Sequence, residues 1–157
     1  MLHSYLAAIH LIERLHRQFL EVVKAELDHL AVDDINNIQA LILFNIGKDK
    51  MTVGELTYRG YYLGSNVSYN VKKMTENGYI LQEQSPHDKR SIRVSLSDKG
   101  TALWEKMNEM FRKHEGALTQ TAIEEEDLKE AAQIFQKLES LWTDMLNRAG
   151  VSPFGNY

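Results

Sequence analysis

Adjacent cations mark the stretch QSPHDKRSIRVSLSDKG, which runs from Gln84 to Gly100. Five polar or charged residues, His87–Ser91, precede the alternating segment Ile92–Leu96. Alternation of apolar and polar residues predicts a half-buried strand, so these cations fall at the tip of a predicted hairpin, where they bury nothing. Lysine and arginine side chains in such a place can contact phosphates, and arginine is favoured in a narrow minor groove. The tip is therefore a candidate nucleic-acid contact.

A second candidate surface is the predicted helix before this hairpin. Val67, Val71 and Met74 recur at three- and four-residue steps and would form its buried face. The remaining residues are polar, and such amide and hydroxyl groups can read base edges, although they also suit an ordinary solvated face. The predicted DNA-binding residues of the helix and the hairpin are Ser65, Asn66, Ser68, Tyr69, Asn70, Lys72, Lys73, His87, Asp88, Lys89, Arg90, Ser91 and Arg93.

Within the hairpin tip, the side chains would have different roles. Asp88 lies two residues before Arg90, so its carboxylate can either orient the guanidinium or fasten the turn. Arg90 would enter the minor groove, and Lys89 and Arg93 would neutralise phosphates. The alternative is that these charges only keep an exposed hairpin soluble and block pairing along its edge.

The distribution of charge favours the nucleic-acid interpretation. The 157-residue chain has a net charge of -4, so its overall balance does not indicate such a partner. Residues 52–99, however, hold seven lysines and arginines against five acidic residues, whereas both flanking segments are net acidic. A local basic surface matters more to nucleic-acid binding than the charge of the whole chain.

Several classes of protein are excluded or disfavoured by the composition. The chain has no cysteine, which excludes disulfides, thiol redox sensing and thiolate metal sites. Its apolar runs are far shorter than the roughly 20 residues that span a bilayer, so no membrane partner is expected. Charged residues interrupt the N-terminal segment, which is unlike a signal peptide, and we expect a cytoplasmic protein.

Catalytic and metal-binding motifs are also missing from the sequence. It contains no Gly-x-Ser-x-Gly elbow and no phosphate-binding glycine loop, so we predict neither an enzyme nor a cofactor. The six histidines form no i, i+4 pair and no H-E-x-x-H motif, and we predict no metal site. The acidic run Glu124–Asp127 would lie at a helix start, where negative charge is favourable.

Six helices are predicted around the hairpin. Apolar residues recur with helical spacing over Leu2–Leu30, which predicts one long amphipathic helix. A second helix would begin near Asp33, a good N-cap, and end at Gly47. The fifth helix would be capped by Ser97, and the sixth would follow a break near residues 119–123.

The third and fourth helices form a helix-turn-helix candidate. The segment Thr52–Glu55 has the spacing of a capping box and would start a short third helix. Ser65 would cap the fourth helix, which Asn77-Gly78 would end with residues that tolerate a left-handed backbone. With a hairpin directly after it, this unit is a winged helix. The predicted fold class is mainly α with a small β-hairpin wing.

The terminal helices indicate a dimer. They carry more apolar surface than a winged helix of this size can cover, and a wide apolar stripe must be buried. We therefore predict an N-terminal dimerisation helix at 1–32, a DNA-binding domain at 33–100 and C-terminal dimerisation helices at 101–157. Two subunits would read half-sites ~34 Å apart on a pseudo-palindromic operator in double-stranded DNA. The alternative is that these helices form the core of a monomer.

The run from Gly54 to Gly100 resembles the core of the MarR family of bacterial winged-helix regulators. The matching features are Glu55-Leu56, the helix ending at Gly78, Asp88-x-Arg90-Ser91 and Leu96-Ser97-x-x-Gly100. The resemblance implies a homodimer joined through its terminal helices, with Arg90 in the minor groove and Asp88 steadying the wing. Many members have Thr-Arg where this chain has Ser68-Tyr69, so base preference does not carry over. The segment RGYYLGSNVSYN is similar to the LdtR branch of alphaproteobacterial regulators.

The resemblance also implies control by a small aromatic or phenolic ligand. The protein would be a repressor or dual regulator of transcription that such an effector releases from DNA. Aromatic and polar residues that could line the ligand site, although each also suits an ordinary core, are His16, Phe19, Tyr61, Tyr62, Trp104 and Phe111. The alternative function is a winged-helix protein–protein interaction module without sequence-specific DNA binding, whose basic wing docks an acidic partner.

Overall fold

Helices dominate the architecture, and a small sheet combines a hairpin between the fourth and fifth helices with a short strand just before the third. The structure is a computed structural model, and it describes residues 1–60 and 64–151. Within these residues the elements are α1 Leu2–His29, α2 Asn37–Ile46, β1 Met51–Thr52, α3 Val53–Gly60, α4 Gly64–Glu76, β2 Ile80–Gln84, β3 Ile92–Leu96, α5 Asp98–Leu118 and α6 Glu125–Arg148. The prediction of a mainly α winged helix is confirmed.

Local capping hydrogen bonds are present at the starts of α3, α5 and α6. The Thr52 hydroxyl accepts from the Glu55 backbone N–H at 3.1 Å, and the Glu55 carboxylate accepts from the Thr52 N–H at 2.7 Å. The Ser97 hydroxyl accepts from the N–H of Gly100 at 3.1 Å. At α6 the Asp127 carboxylate accepts from the N–H of Glu124 at 2.8 Å, so one member of the acidic run caps a helix.

Two predicted helix starts are wrong. Asn36, not Asp33, caps α2: its side chain accepts from the N–H of Gln39 at 2.8 Å, and the Gln39 side chain accepts from the N–H of Asn36 at 3.1 Å. Ile35, in the segment just before this cap, is 5% exposed and belongs to the hydrophobic core. Helix α4 begins at Gly64, so Ser65 lies in its first turn rather than before it.

The sheet contains one strand that the sequence pattern did not predict. Its order is β1-β3-β2, and both pairings are antiparallel. Val94 of the central strand lies opposite Met51 on one side and Gln82 on the other, and Val94 is fully buried. Strand β1 has only two residues, too few for an alternating pattern, and it exists because β3 supplies its partner.

One hydrophobic core holds the winged helix together and leaves the terminal helices largely outside. Its residues come from α2, α3, α4 and the sheet, with further contributions from α5. Helix α1 contributes only Val23 and Leu27 of its 28 residues, and α6 contributes no buried residue. The apolar faces of α1 and α6 therefore have no cover in a single subunit.

The first turn of α5 approaches the backbone of Tyr79, the residue just before β2, very closely. A Cβ atom at Gly100 would lie 2.2 Å from the Tyr79 carbonyl oxygen and 3.3 Å from the Leu96 Cβ atom. The same carbonyl accepts a hydrogen bond from the Ser97 N–H at 3.0 Å, so it cannot move away freely. Only glycine fits at this crossing.

We expect Gly100→Ala to lower the free energy of unfolding by at least ~1–3 kcal/mol, because overpacking here acts on backbone atoms. Gly116→Ala in the same helix is the matched control, since no atom lies within 4 Å of the added methyl group. Alanine should stabilise that position by ~1 kcal/mol. Urea unfolding of both variants measures the difference, and equal effects would contradict the close approach.

Candidate nucleic-acid interface

Helix α4 is amphipathic as the sequence predicts. Val67, Val71 and Met74 are buried, at 0%, 3% and 0% exposure. The exposed side chains on the opposite face include Asn66, Ser68, Tyr69, Lys72 and Lys73. Helix α4 therefore presents amides, a hydroxyl, a phenol and two cations to its surroundings. The side chain of Ser65 lies outside the described part of the structure.

Asn70 differs from the other polar residues of α4 because it is half-buried and turned towards α2. Its side-chain oxygen accepts from the Gln39 side-chain N–H at 3.1 Å. Its side-chain nitrogen donates to the Asn66 carbonyl oxygen, one turn earlier, at 2.8 Å. Both ends of the amide are thus engaged within the protein.

The base of the wing lies against the C-terminal half of α4. The helix ends in a turn at Gly78, whose φ of 81° is the left-handed conformation that glycine adopts without strain. Strand β2 follows two residues later, and Gln82 donates from its side chain to the Thr75 hydroxyl at 2.8 Å. The helix and the hairpin are therefore one connected surface.

Asp88 fastens the tip of the wing. Its carboxylate accepts from the Arg90 backbone N–H at 2.9 Å and from the Ser91 hydroxyl at 3.2 Å, and its carbonyl accepts from the Ser91 N–H at 3.0 Å. Gln84 closes the other side by donating to the Lys89 carbonyl at 2.9 Å. Of the two predicted roles for this carboxylate, the structure shows the one that fastens the turn.

The basic residues of the wing fall into two groups. His87, Lys89 and Arg90 are exposed at the tip. Arg93 is half-buried in β3, opposite Thr52 and Glu83, and its buried Nε atom has no hydrogen-bond partner among the described residues. The tip cations are therefore free to reach a ligand, whereas Arg93 is held by the sheet.

A charged cluster that the sequence did not reveal joins the α1–α2 loop to α4, β2 and α5. The Asp34 carboxylate accepts from the Tyr79 hydroxyl and, at 2.6 Å, from the Lys99 ammonium group. The Asp34 carbonyl accepts from the Asn77 side chain, and Lys99 donates to the Asn77 carbonyl at 2.9 Å. Lys99 also lies 4.2 Å from the centroid of the Tyr79 ring. The C-terminal end of α4 is thereby tied to the start of α5.

Burial and hydrogen bonding shift the acidities within this cluster. Burial by itself raises the pKa of Asp34, but hydrogen bonds from Lys99 and Tyr79 outweigh it and the pKa lies below its ordinary value. Burial, together with the nearby Asp34 carboxylate, raises the pKa of the Tyr79 phenol far above its ordinary value. At neutral pH the carboxylate is therefore charged and the phenol is its hydrogen-bond donor.

Three of the predicted ligand residues, Phe19, Trp104 and Phe111, lie in one aromatic cluster with Phe44. Phe111 packs against Phe44 with ring centroids 4.9 Å apart and against Phe19 at 6.1 Å, and Trp104 stacks on Phe44 at 5.7 Å. His16 instead lines a separate groove of about 820 Å³ between α1 and α6. Tyr61 and Tyr62 lie outside the described residues.

Neither a metal cluster nor a membrane span is found in residues 1–60 and 64–151. No three histidine or acidic side chains there are grouped to hold a metal ion. No helix in that part of the chain combines the length and apolar character needed to cross a bilayer.

The fold and this surface define the class as a DNA-binding winged-helix protein. Residues 35–100 match the family model of the winged helix DNA-binding domain. The chain is 38% identical over 139 residues to ExpG, the exopolysaccharide II synthesis transcriptional activator of Rhizobium meliloti. This alignment covers 88% of this chain and 72% of ExpG.

Solved structures have the same fold. Streptococcus pneumoniae FabT in complex with DNA matches with a TM-score of 0.70 and 18% identity over 90% of this chain and 99% of that one. Staphylococcus aureus MarR in complex with salicylate and kanamycin matches with a TM-score of 0.72 and 21% identity over 90% of this chain and 94% of that one. The chain belongs to the MarR family of winged-helix transcriptional regulators, which are DNA-binding proteins and not enzymes.

We expect the stabilising effect of Asp34 to depend on pH. A carboxyl group with a lowered pKa stabilises the fold at pH values above its ordinary pKa of about 3.9, and this contribution disappears as the pH falls through the lowered value. Asp34→Asn should therefore lower the free energy of unfolding most at neutral pH. The difference should shrink as the pH falls below about 4.

Urea unfolding of the natural chain and of Asp34→Asn at several pH values measures this difference. Asp33→Asn is the matched control, because it removes one negative charge at the adjacent position without removing a hydrogen bond of the cluster. A difference for Asp34→Asn that stays constant across the acid range would show that the hydrogen bonds to the carboxylate are not important for stability.

Proposed function

We propose that the protein is a dimeric regulator that binds a pseudo-palindromic operator through α4 and the wing of each subunit. The observation that carries this proposal is the wing tip, where Asp88 fixes the backbone so that Lys89 and Arg90 are exposed on a fastened turn. A hairpin that needed charge only for solubility would not require its tip to be held by three hydrogen bonds from one residue.

The chemistry of the exposed groups assigns the contacts. Asn66, Ser68 and Tyr69 would read base edges in the major groove, because their amide, hydroxyl and phenol groups both donate and accept hydrogen bonds. Arg90 would enter the minor groove, where the negative potential favours a guanidinium. The exposed cations that would contact phosphates are Lys72, Lys73 and Lys89, whereas the half-burial of Arg93 in β3 disfavours the phosphate contact predicted for it.

Lys73 can take this role although it forms an ion pair with Glu76 at 3.3 Å. Both side chains are nearly half exposed, and an exposed pair one helical turn apart contributes little to stability. Replacing the Glu76 carboxylate by a DNA phosphate as the partner of Lys73 therefore costs little free energy.

The dimer is supported by the uncovered faces of the terminal helices. Helix α6 is amphipathic over 24 residues and buries none of them within the subunit, so its apolar stripe requires a partner. It meets α1 through a hydrogen bond from the Trp142 indole to the Tyr5 hydroxyl at 3.1 Å, and the apolar groove of about 820 Å³ lies between the two helices. We infer that a second copy fills this groove, in an interface of more than ~2,000 Å².

Ligand control and the direction of regulation belong to the same proposal. ExpG is named as a transcriptional activator, which supports the activating half of a dual role, whereas repression stays a prediction.

The MarR structure with salicylate supports an aromatic effector. The cluster of Phe19, Phe44, Trp104 and Phe111 joins the terminal helices to the winged helix, so a ligand that opened it would act on both. It can shift them only if its affinity for the two conformations differs.

Selection of bound duplexes from a random pool tests the proposed function. A dimeric regulator should return a palindrome with two half-sites about one helical turn apart. A protein-interaction module whose wing docks an acidic partner would return no consensus.

We expect Arg90→Ala to weaken binding to the selected operator by ~1–3 kcal/mol if it reads a narrow groove. Lys72→Ala is the comparison, because loss of a phosphate contact should weaken binding to every sequence and reduce the slope of log affinity against log salt by about 1. Gel-shift titrations at several salt concentrations separate the two effects. Unchanged operator affinity would remove Arg90 from the interface.

We expect Phe135→Asp to convert the dimer to a monomer, because Phe135 lines the groove between α1 and α6 and a carboxylate there cannot be desolvated cheaply. The natural chain should sediment at about twice 18.1 kDa at micromolar concentration. Lys137→Glu, an exposed charge reversal on the same helix outside that groove, should remain dimeric. A natural chain that sediments as a monomer would contradict the proposed interface.

A further inference from the structure

Gln39 is the only glutamine among the buried residues of the described chain, and its side chain bonds the N-cap of α2 through its oxygen and α4 through its nitrogen. It is 8% exposed and is followed by the fully buried Ala40. Its side-chain oxygen accepts from the Asn36 N–H at 3.1 Å, and its side-chain nitrogen donates to Asn70 at 3.1 Å. Asn70 in turn donates to the Asn66 carbonyl at 2.8 Å. Three hydrogen bonds thus run in one direction from the α1–α2 loop into the exposed face of α4.

A buried amide at this position needs a physical reason. Burial of an amide without partners costs free energy, and an apolar side chain would fill the same space without that cost. An amide bonded at both its oxygen and its nitrogen, however, favours one arrangement of its partners, whereas an apolar contact tolerates small rotations. The Gln39–Asn70 pair therefore selects one orientation of α4 among those that its apolar stripe would allow.

We propose that Gln39 is a positioning residue for sequence recognition: through Asn70 it fixes the rotation of α4 about its own axis. Asn70 belongs to this pair and not to the base-reading set, since both ends of its amide are already engaged. The inference rests on the proposed function, in which the exposed face of α4 reads base edges.

The consequence differs for the two kinds of DNA contact. Hydrogen bonds to base edges require the donor within about 0.5 Å and 10–20° of its productive position. Lysine side chains are long and can follow a phosphate after a small rotation of the helix. Loss of the Gln39–Asn70 bond should therefore reduce discrimination between sequences and leave non-specific binding nearly unchanged.

The experiment compares the affinity of the full-length dimer for its selected operator with that for a scrambled duplex at one salt concentration. Gln39→Leu should lower this ratio by about tenfold or more, which is the effect of losing one well-placed base contact. The base preference should weaken across the operator and not at one position alone. Asn70→Ala should give the same loss, and the double variant should be no worse than either, because both substitutions remove one interaction.

Asn36→Ala is the matched control. It removes the side-chain cap of α2 but keeps the backbone N–H that Gln39 bonds, so it should lower stability and leave the affinity ratio unchanged. Loss of discrimination in Asn36→Ala equal to that in Gln39→Leu would mean that general destabilisation explains the result, and would overturn the proposal. The proposal would also be overturned if the effects of Gln39→Leu and Asn70→Ala were additive and Asn70→Ala lost its preference at one operator base pair. Asn70 would then read that base directly. Asn70 is half-buried, and Asn70→Ala keeps the test possible if Gln39→Leu does not fold.

Amide hydrogen exchange of α4 in the free protein separates this proposal from the proposed function. Exchange there should increase in Gln39→Leu and Asn70→Ala and not in Asn36→Ala. If the natural chain shows no preference among duplexes while exchange changes as expected, the DNA-reading function fails and the positioning of α4 stands. If the natural chain selects an operator and Gln39→Leu keeps the same affinity ratio, the positioning role fails alone.

Discussion

Helix α4 must be held firmly while most of its surface stays in solvent, and the rest of the structure follows from this constraint. Its apolar stripe consists of Val67, Val71 and Met74, which anchor it to the core but present only one narrow face. Apolar contacts resist separation more than they resist rotation, because they are not directional. Directional contacts supply the remainder: Asn70 bonds Gln39, and Thr75 bonds Gln82. The orientation of this helix is therefore a property of its neighbours as much as of its own residues.

The end of α4 is coupled to the terminal helices by charge. Asp34, in the loop after α1, bonds Tyr79 and Lys99, and Lys99 is in the first turn of α5. The close approach of Gly100 to the Tyr79 backbone leaves little freedom at the same crossing. A change in the arrangement of α1 and α5 in a dimer would thus be transmitted to α4 with little loss. Such a connection is what a regulator needs if an effector is to alter DNA binding from a distance.

The winged helix and the terminal helices differ in how their apolar surface is buried. The winged helix buries its own core within the subunit, whereas α6 buries nothing there and α1 buries only Val23 and Leu27. This division accounts for an acidic chain with a locally basic DNA-binding segment: the cations lie on the unit that would face DNA, and the acidic residues lie on the helices that would face a second copy and solvent. Under the proposed function, association and recognition would therefore use separate surfaces.

Features that arise between residues three or four positions apart were determined by the sequence itself. The caps at Ser97 and Thr52, the stripe of α4 and the Asp88 turn are of this kind, because their partners are close along the chain. The Asn36–Gln39 capping box has the same spacing and was also open to prediction, although Asp33 is an equally good cap on residue type alone.

Only the tertiary structure decided features whose partners are distant in sequence. Asn70 meets Gln39 across 31 positions, and Tyr79 meets Asp34 across 45. A polar residue at the edge of an amphipathic helix has the same pattern whether it faces solvent or a neighbouring helix, so periodicity could not place Asn70. Strand β1 and the packing of Phe19, Trp104 and Phe111 were undecided for the same reason. Short-range hydrogen bonds are specified by residue type and spacing, whereas the choice among possible distant partners is made only when the core brings the elements together.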